Sequence, residues 1–370
     1  MTEELQRTAL YDEHVRLNGR MVPFAGWELP VQYDHLGPTA EHQAVRTHAG
    51  LFDIDHMGQI EIKGPDATAY LQYLQVADVS SMAVRDARYS LMCYGNGGVV
   101  DDIFIYRLEK ERWWVVVNAA NRRKDVAWMQ THALGYAVAI SDVSDQTYMM
   151  ALQGPKAQAI LQRLTSLPLD SVPFHTSAYC QVADVAALIG ATGYTGEYGY
   201  ELFLPAHQAV TLWRALLQAG AADGLLPCGL AARDSLRFEP CLPLYGHEID
   251  EDIDPISARL GWAVSFDKGN FIGRDALLKI KTQGPASLLV GFEMLEKSVP
   301  RAGYPVAVHG AVVGRVTTGM KSPSTERFVG LAFVPAESAA LGAEIDIVIR
   351  DKPKRAAVVK RPFYTPAYRR

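Results

Sequence analysis

Two adjacent carboxylates, Asp101 and Asp102, follow the turn-forming Asn96-Gly97-Gly98 and open a strand-like run. Neighbouring strand residues point to opposite faces, so the pair cannot share a proton as a catalytic dyad. One of the two faces a core or cleft and the other faces out. A turn-favouring aspartate at a hairpin accounts for most such pairs without any catalysis. A second cluster, Gly193-Tyr-Thr-Gly-Glu-Tyr-Gly-Tyr-Glu-Leu202, packs glycines, three tyrosines and two acids into one short stretch. It suits a turn whose rings stand against a flat heterocycle, with Glu201 accepting hydrogen bonds from a ring N–H and an exocyclic amine. It suits a glycine-rich hairpin with packing tyrosines equally well. A third cluster, Gly229-Leu-Ala-Ala-Arg-Asp-Ser-Leu-Arg-Phe-Glu239, reads as a helix with Arg233, Asp234, Arg237 and Glu239 among apolar neighbours. Arginine holds a carboxylate or carbonyl in a planar fork. For Arg237 an internal ion pair with Glu239 or Asp234 is expected, which leaves Arg233 as the ligand candidate. His56 has no partner at metal-ligand spacing and is read as a packing or hydrogen-bonding residue.

The elements that must position these residues come in an echo. Gly64-Pro-Asp-Ala-Thr-Ala-Tyr-Leu-Gln-Tyr-Leu74 recurs as Gly154-Pro-Lys-Ala-Gln-Ala-Ile-Leu-Gln-Arg-Leu164. Each copy follows a strand-like segment, 59–63 and 148–152, and places Pro in a helix first turn. Two related strand–helix units imply two pseudo-equivalent lobes with a cleft between them. Between the copies, 87–93 and 102–108 read as strands joined by a tight turn. A further strand at 112–118 leads to Asn121, read as the N-cap of a helix over 122–134. A second amphipathic helix is expected over 206–219, with Val210, Trp213, Leu216 and Leu217 on one face. After Lys281-Thr-Gln-Gly-Pro285 only short strand-like runs remain, at 288–294, 304–318, 328–334, 344–350 and 356–360. That pattern fits a small all-β barrel or sandwich.

Composition narrows the classes. With 370 residues, 49% hydrophobic and 21% charged, the chain is globular rather than disordered. A formal net charge of −5 gives no general affinity for a phosphate backbone, so no nucleic-acid partner is expected. The four cysteines, Cys93, Cys180, Cys228 and Cys241, lie far apart without CxxC spacing, which argues against a zinc site or a disulfide framework. The acidic start MTEELQRTALYDEH lacks a secretory signal, and no apolar run reaches a membrane span. A cytoplasmic protein with no membrane partner and no metal is the expectation. There is no GxSxG elbow, GxxxxGK[ST] phosphate loop or HExxH zinc motif.

Taken in order along the chain, these segments resemble the T protein of the glycine cleavage system, a tetrahydrofolate-dependent aminomethyltransferase family. The resemblance is carried by Phe24-Ala-Gly-Trp-Glu-Leu-Pro30, Leu51-Phe-Asp-Ile-Asp-His-Met-Gly58, Gly97-Gly-Val-Val-Asp-Asp102, Val117-Asn-Ala-Ala-Asn121, Gly193-Tyr-Thr-Gly-Glu197, Ala232-Arg-Asp-Ser-Leu-Arg237, Leu242-Pro-Leu-Tyr-Gly-His-Glu248, Phe271-Ile-Gly-Arg274, Val316-Thr-Thr-Gly319 and Lys360-Arg-Pro-Phe363. It implies an α+β three-domain cloverleaf: two related α+β lobes around a folate channel plus a C-terminal all-β barrel or jelly-roll-like domain. The lobes would be 1–57 with 146–245 and 58–145 with 246–284, and the β domain 285–370. By position, Asp102 matches the family's catalytic aspartate near folate N10. Tyr89, Asn118, Tyr194, Glu201 and Arg233 match folate-binding positions, and Tyr368 a C-terminal folate contact. The implied co-substrate is tetrahydrofolate and the implied partner is lipoylated H protein.

Two positions depart from the family pattern: Asp55 stands where Ser usually precedes His-Met-Gly, and Pro240-Cys241 replaces small residues after Phe238-Glu239. Both bear on the one-carbon donor. A relative that demethylates a small molecule is the enzymatic rival. Folate-binding iron–sulfur maintenance proteins share the fold but carry a cysteine motif whose counterpart, Lys268-Gly-Asn-Phe-Ile-Gly-Arg274, has Asn270 instead.

Overall fold

Both copies of the echo fold alike. The strand Gly58–Lys63 turns at Gly64 into the helix Ala67–Leu74, and the strand Thr147–Gln153 turns at Gly154 into the helix Ala157–Gln162. Glycine is required at both turns. The φ angles are +145° and +124°, and a Cβ would lie 2.2 Å from the Ala137 carbonyl oxygen and 2.7 Å from that of Val45. The structure, a computed structural model, describes residues 4–366, so Tyr368 lies outside the described residues.

The chain forms two compact units. The first comprises the residues up to Leu74 with Val79–Ser90 and Ile103–Leu236; the second comprises Gln75–Asp78, Leu91–Asp102 and the chain from Arg237 onward. In the first unit a six-stranded sheet runs in the order Ser177–Val182, Val185–Gly190, Gly199–Pro205, Thr147–Gln153, Ala49–Asp53, Leu225–Pro227. Its pairings are antiparallel except the last, where Leu225–Pro227 lies parallel to Ala49–Leu51. Tyr148, Met150, Leu152, Ile189, Leu202, Trp213 and Leu216 fill the core against it. A second, five-stranded sheet has the order Ala87–Cys93, Val99–Glu109, Arg112–Val117, Gly58–Lys63, Ala139–Asp142. The tip of its first hairpin, Leu91–Asp102, belongs to the second unit. β-Branched and aromatic residues make Arg112–Val117 a buried central strand.

The second unit carries a closed antiparallel barrel of six strands in the order Ser287–Met294, Phe328–Pro335, Ala311–Lys321, Pro305–Val308, Glu344–Ile349, Lys352–Val359. The last strand pairs back onto the first. Phe292, Val306, Val316, Ala332, Ile347 and Val358 point into its core, and closure leaves no sheet edge unpaired.

Three local expectations change. The run 304–318 is two strands, because His309 and Gly310 both take positive φ and close a two-residue hairpin turn. Asn121 is the N-cap of the helix beginning at Arg122, as expected, but its side chain makes no capping bond, and the helix stops at Thr131 rather than 134. Leu134, beyond that end, is 93% exposed, so no core face holds the helix there. The helix expected from 206 begins at Ala209 and buries Leu212, Trp213 and Leu216, with Val210 and Leu217 at the edge of that stripe.

Candidate functional site

Glu201 lies in the strand Gly199–Pro205 and is only 9% exposed. Two hydroxyls donate to the same oxygen, Oε2: Tyr106 at 2.9 Å and Thr192 at 2.6 Å. The two hydroxyls are themselves 2.7 Å apart. Burial and the Glu201 charge push the Tyr106 phenol well above its ordinary range, so it stays a donor. Oε1 accepts neither hydroxyl.

The loop before this strand is clamped from several sides. Arg46 donates to the Thr195 carbonyl at 2.8 Å and pairs with Glu197 at 3.0 Å. The Gln153 amide donates to the Thr192 carbonyl at 3.0 Å and accepts from the Thr195 hydroxyl at 2.9 Å. The loop thereby holds the half-buried Tyr194 ring beneath the Arg233 guanidinium, 4.7 Å from the ring centroid. Arg233 rises from the first turn of the helix Leu230–Phe238 and also lines a narrow cleft with Pro30, Phe52 and Asp53. Of the three tyrosines in the cluster, Tyr194 alone fits the ligand-stacking reading. Tyr200 is fully buried, and Tyr198 packs edge-on against it at 5.6 Å. Tyr200 is core, and Tyr198, half-buried, packs against it.

Tyr89 is half-buried on the strand Ala87–Cys93, and Asn118 half-buried just after Arg112–Val117. Both belong to the first unit with Tyr194, Glu201 and Arg233. Asp102 is the last residue of the second unit's hairpin. Its neighbour Asp101 is wholly buried while Asp102 is half-buried, the alternation expected of a strand. Within the second unit the start of that strand is pinned: the Val99 N–H donates to the Asp250 carbonyl at 2.9 Å, and the Tyr245 hydroxyl donates to the Val99 carbonyl at 3.2 Å.

Arg237 pairs with Glu248 at 2.8 Å, an acid beyond the end of its helix that residue types alone did not name. Glu239 is held by the hydroxyls of Ser322 and Ser324, both at 2.6 Å. Asp55 is half-buried, and its Oδ1 accepts from the Met149 N–H at 3.0 Å. Burial, reinforced by the charge of Asp53, pushes its carboxyl up to about 9, so it is protonated at neutral pH. Asp53 goes the other way: against the effect of burial, hydrogen bonds from His14 at 2.9 Å and Thr8 at 2.6 Å hold it below the ordinary range. Cys241 takes a left-handed φ of +60°, and burial pushes its thiol up to about 12. All four cysteines are free.

A cavity of about 350 Å³ in the second unit is lined by Asp78, Phe266, Lys268 and Lys281, among others, and includes no predicted site residue. Lys268 opens the Lys268-to-Arg274 motif and donates to the carbonyls of Gln75 and Ala77, a structural clamp. The reading from residue types missed Tyr106, Thr192, Arg46 and Gln153. Only Tyr106 left a signal: it stands four residues after Asp102 on one strand, and so on the same face.

The architecture is thus that of a chain of mixed α/β sheets followed by a closed antiparallel barrel. Residues 10–268 match the GCVT N-terminal domain, and residues 288–365 match the glycine cleavage T-protein C-terminal barrel domain. An aminomethyltransferase of Symbiobacterium thermophilum is 50% identical over all of both chains. One of Herpetosiphon aurantiacus is 49% identical, over 99% of this chain and 100% of that one. The crystal structure of glycine cleavage system aminomethyltransferase T from Bartonella henselae superposes with a TM-score of 0.92 at 34% identity, covering 98% of this chain and 99% of that one. The chain belongs to the glycine cleavage T-protein family.

Proposed function

We propose that the chain is the aminomethyltransferase of a glycine cleavage system. It moves the methylene carried between sulfur and amine on the dihydrolipoyl arm of H protein to tetrahydrofolate, with release of ammonia. The observation that carries this reading is the match to relatives named aminomethyltransferase at 50% and 49% identity along essentially the whole chain. Tetrahydrofolate is the co-substrate, lipoylated H protein the donor and partner, and the cytoplasm the compartment. The same reading divides the chain into lobes 1–57 with 146–245 and 58–145 with 246–284, and a β domain from 285.

Each site residue then has a task. Glu201, fixed by Tyr106 and Thr192 on one oxygen, offers the other to the N–H groups of the pteridine edge. Tyr194 gives a ring face and Arg233 a planar donor fork. Tyr89, Asn118 and Tyr368 complete the folate contacts. Asp102 orients the folate near N5 and N10 and stabilises positive charge as the iminium-like methylene carbon is attacked. General acid–base or electrostatic help of this kind contributes roughly 10²–10⁴-fold. Positioning of the two large substrates supplies the remainder.

The test is methylene-tetrahydrofolate formation from tetrahydrofolate and aminomethylated, lipoylated H protein. The parent is expected to be active, and Asp102→Asn to lose about 10²–10⁴ in turnover while keeping its tetrahydrofolate affinity within a few-fold. Unchanged turnover removes Asp102 from the mechanism. A parent that binds tetrahydrofolate yet ignores H protein turns the search to methylated small-molecule donors.

A further inference from the structure

The helix Pro38–Thr47 carries three buried polar side chains, Glu41, His42 and Arg46, and all three reach the segments that hold ligand candidates. His42 Nδ1 lies 2.8 Å from the Ser235 hydroxyl, and Arg46 donates to the Leu236 carbonyl at 3.3 Å, both on the helix Leu230–Phe238 that carries Arg233. Arg46 is the same guanidinium that clamps the Tyr194 loop.

Glu41 grips the start of the Arg233 helix. It is wholly buried, and its carboxylate is given over to backbone: Oε1 accepts the Tyr33 N–H at 2.6 Å and Oε2 the Gly229 N–H at 2.8 Å. Among the described residues these are its only hydrogen-bond partners. The Gly229 carbonyl in turn accepts the Arg233 N–H at 3.0 Å, so a single residue stands between the Glu41 carboxylate and the Arg233 backbone. No side chain at 229 could take over the brace, since a Cβ there would lie 2.5 Å from the Val31 carbonyl oxygen. A carboxylate at this point satisfies an N–H that opens the helix and complements its dipole. It also ties together both walls of the narrow cleft: Leu29 and Pro30 come from the strand that ends at Tyr33, and Gly229, Leu230 and Arg233 from the helix start. Burial pushes the carboxyl up to about 7 against the pull of the two N–H groups, so at pH 8 it is ionised and accepts from both.

We propose that Glu41 is a positioning residue for ligand binding: it bridges the Tyr33 and Gly229 N–H groups and thereby fixes the first turn from which Arg233 presents its guanidinium to the folate. The proposal rests on the reading that Arg233 contacts tetrahydrofolate. Glu41 itself is sealed from any ligand and acts only through the backbone it holds.

The test is a double-mutant cycle on the full-length protein at pH 8, with tetrahydrofolate binding followed by calorimetry. Glu41→Gln keeps the size of the side chain but turns an N–H₂ toward one of the two N–H donors. It is expected to raise the tetrahydrofolate Kd about fivefold in the parent, and by less than about twofold once Arg233 is replaced by alanine, because no guanidinium is then left to misplace. In turnover the loss is expected in the tetrahydrofolate KM, with kcat within about twofold. A Glu41→Gln Kd within about twofold of the parent overturns the proposal, and so does a fivefold loss that is the same with and without Arg233, which would mark a general loosening of the fold. A loss confined to kcat overturns it as well. An Arg233→Ala variant that binds tetrahydrofolate as the parent does overturns the reading beneath the proposal instead, and a parent that binds none overturns the folate reading altogether. Should Glu41→Gln fail to fold, Glu41→Asp, which keeps the charge but is too short to reach both N–H groups, takes its place in the same cycle with the same outcomes.

Discussion

Glu201 and Glu248 are both buried glutamates, and their surroundings could hardly differ more. Glu248 is saturated: Arg237 at 2.8 Å and the Leu244 N–H at 3.1 Å reach Oε2, and the hydroxyls of Thr317 and Thr318, each at 2.6 Å, reach Oε1. Its charge is compensated by a guanidinium as buried as itself. Glu201 has two neutral donors, both on one oxygen, and no cation among its hydrogen-bond partners. A carboxylate that is fully paired has nothing left to offer a ligand. One that is half-paired and buried is held ready for donors that the protein does not supply. On the proposed reading, the difference separates a structural acid, Glu248, from a binding acid, Glu201.

That contrast can be broken most forcefully at Glu248. Glu248→Gln leaves the Arg237 charge buried without its acid and is expected to cost about 3–5 kcal/mol of stability, measured by denaturant unfolding. A loss below about 1 kcal/mol would mean the pair contributes little, and the structural half of the contrast would collapse. Glu201→Ala should show the reverse balance. Tetrahydrofolate binding by calorimetry is expected to weaken by about 1.5–3 kcal/mol, the worth of hydrogen bonds to a charged group. An unaltered dissociation constant would move the pteridine site elsewhere.

Asp55 sharpens the comparison as a third acid, half-buried and held by the Met149 N–H and the Gln59 side-chain amide. Its carboxyl is raised to about 9 in the folded chain, against an ordinary value of 3.8. Between these values the folded state retains a proton that the unfolded state has released. Stability contributed by this group therefore falls as pH rises through that window, by at most about 1.4 kcal/mol per pH unit. Asp55→Asn is expected to flatten the decline in unfolding free energy between pH 6 and 9. A profile identical to the parent's would show that Asp55 ionises freely in the native state.

Features governed by local chemistry were legible in the sequence. The two Gly-Pro helix starts, the hairpin at Asn96-Gly97-Gly98 and the short strands of the barrel all follow from turn residues and hydrophobic period. Pairing across long separations was not legible. Period two assigns Tyr106 and Glu201 to faces of their strands, but nothing local says that residues 95 apart will meet. Nothing local says either that Arg237 will pair with Glu248, which lies beyond the end of its helix and accepts from Thr317 as well. Tyr198 and Tyr200 resemble Tyr194 in type and neighbourhood; only the folded chain shows that Tyr200 is fully buried with Tyr198 packed against it while Tyr194 lies beneath Arg233. The turn at His309-Gly310 was hidden for a different reason, since histidine seldom takes a positive φ.

The hairpin Leu91–Asp102 has a consequence for how this protein can be taken apart. The chain leaves the first unit after Ser90, builds that hairpin, and re-enters at Ile103, so neither unit is one uninterrupted stretch of gene. A truncation after Leu236 keeps all of the first unit but also leaves Gln75–Asp78 and Leu91–Asp102 without the rest of the second, and no pair of fragments divided at a single point reproduces the two units. Internal deletions made to isolate the first unit would cut through the strand Val99–Glu109, beside Asp102. Function in this chain should therefore be dissected by point substitution rather than by dividing the polypeptide.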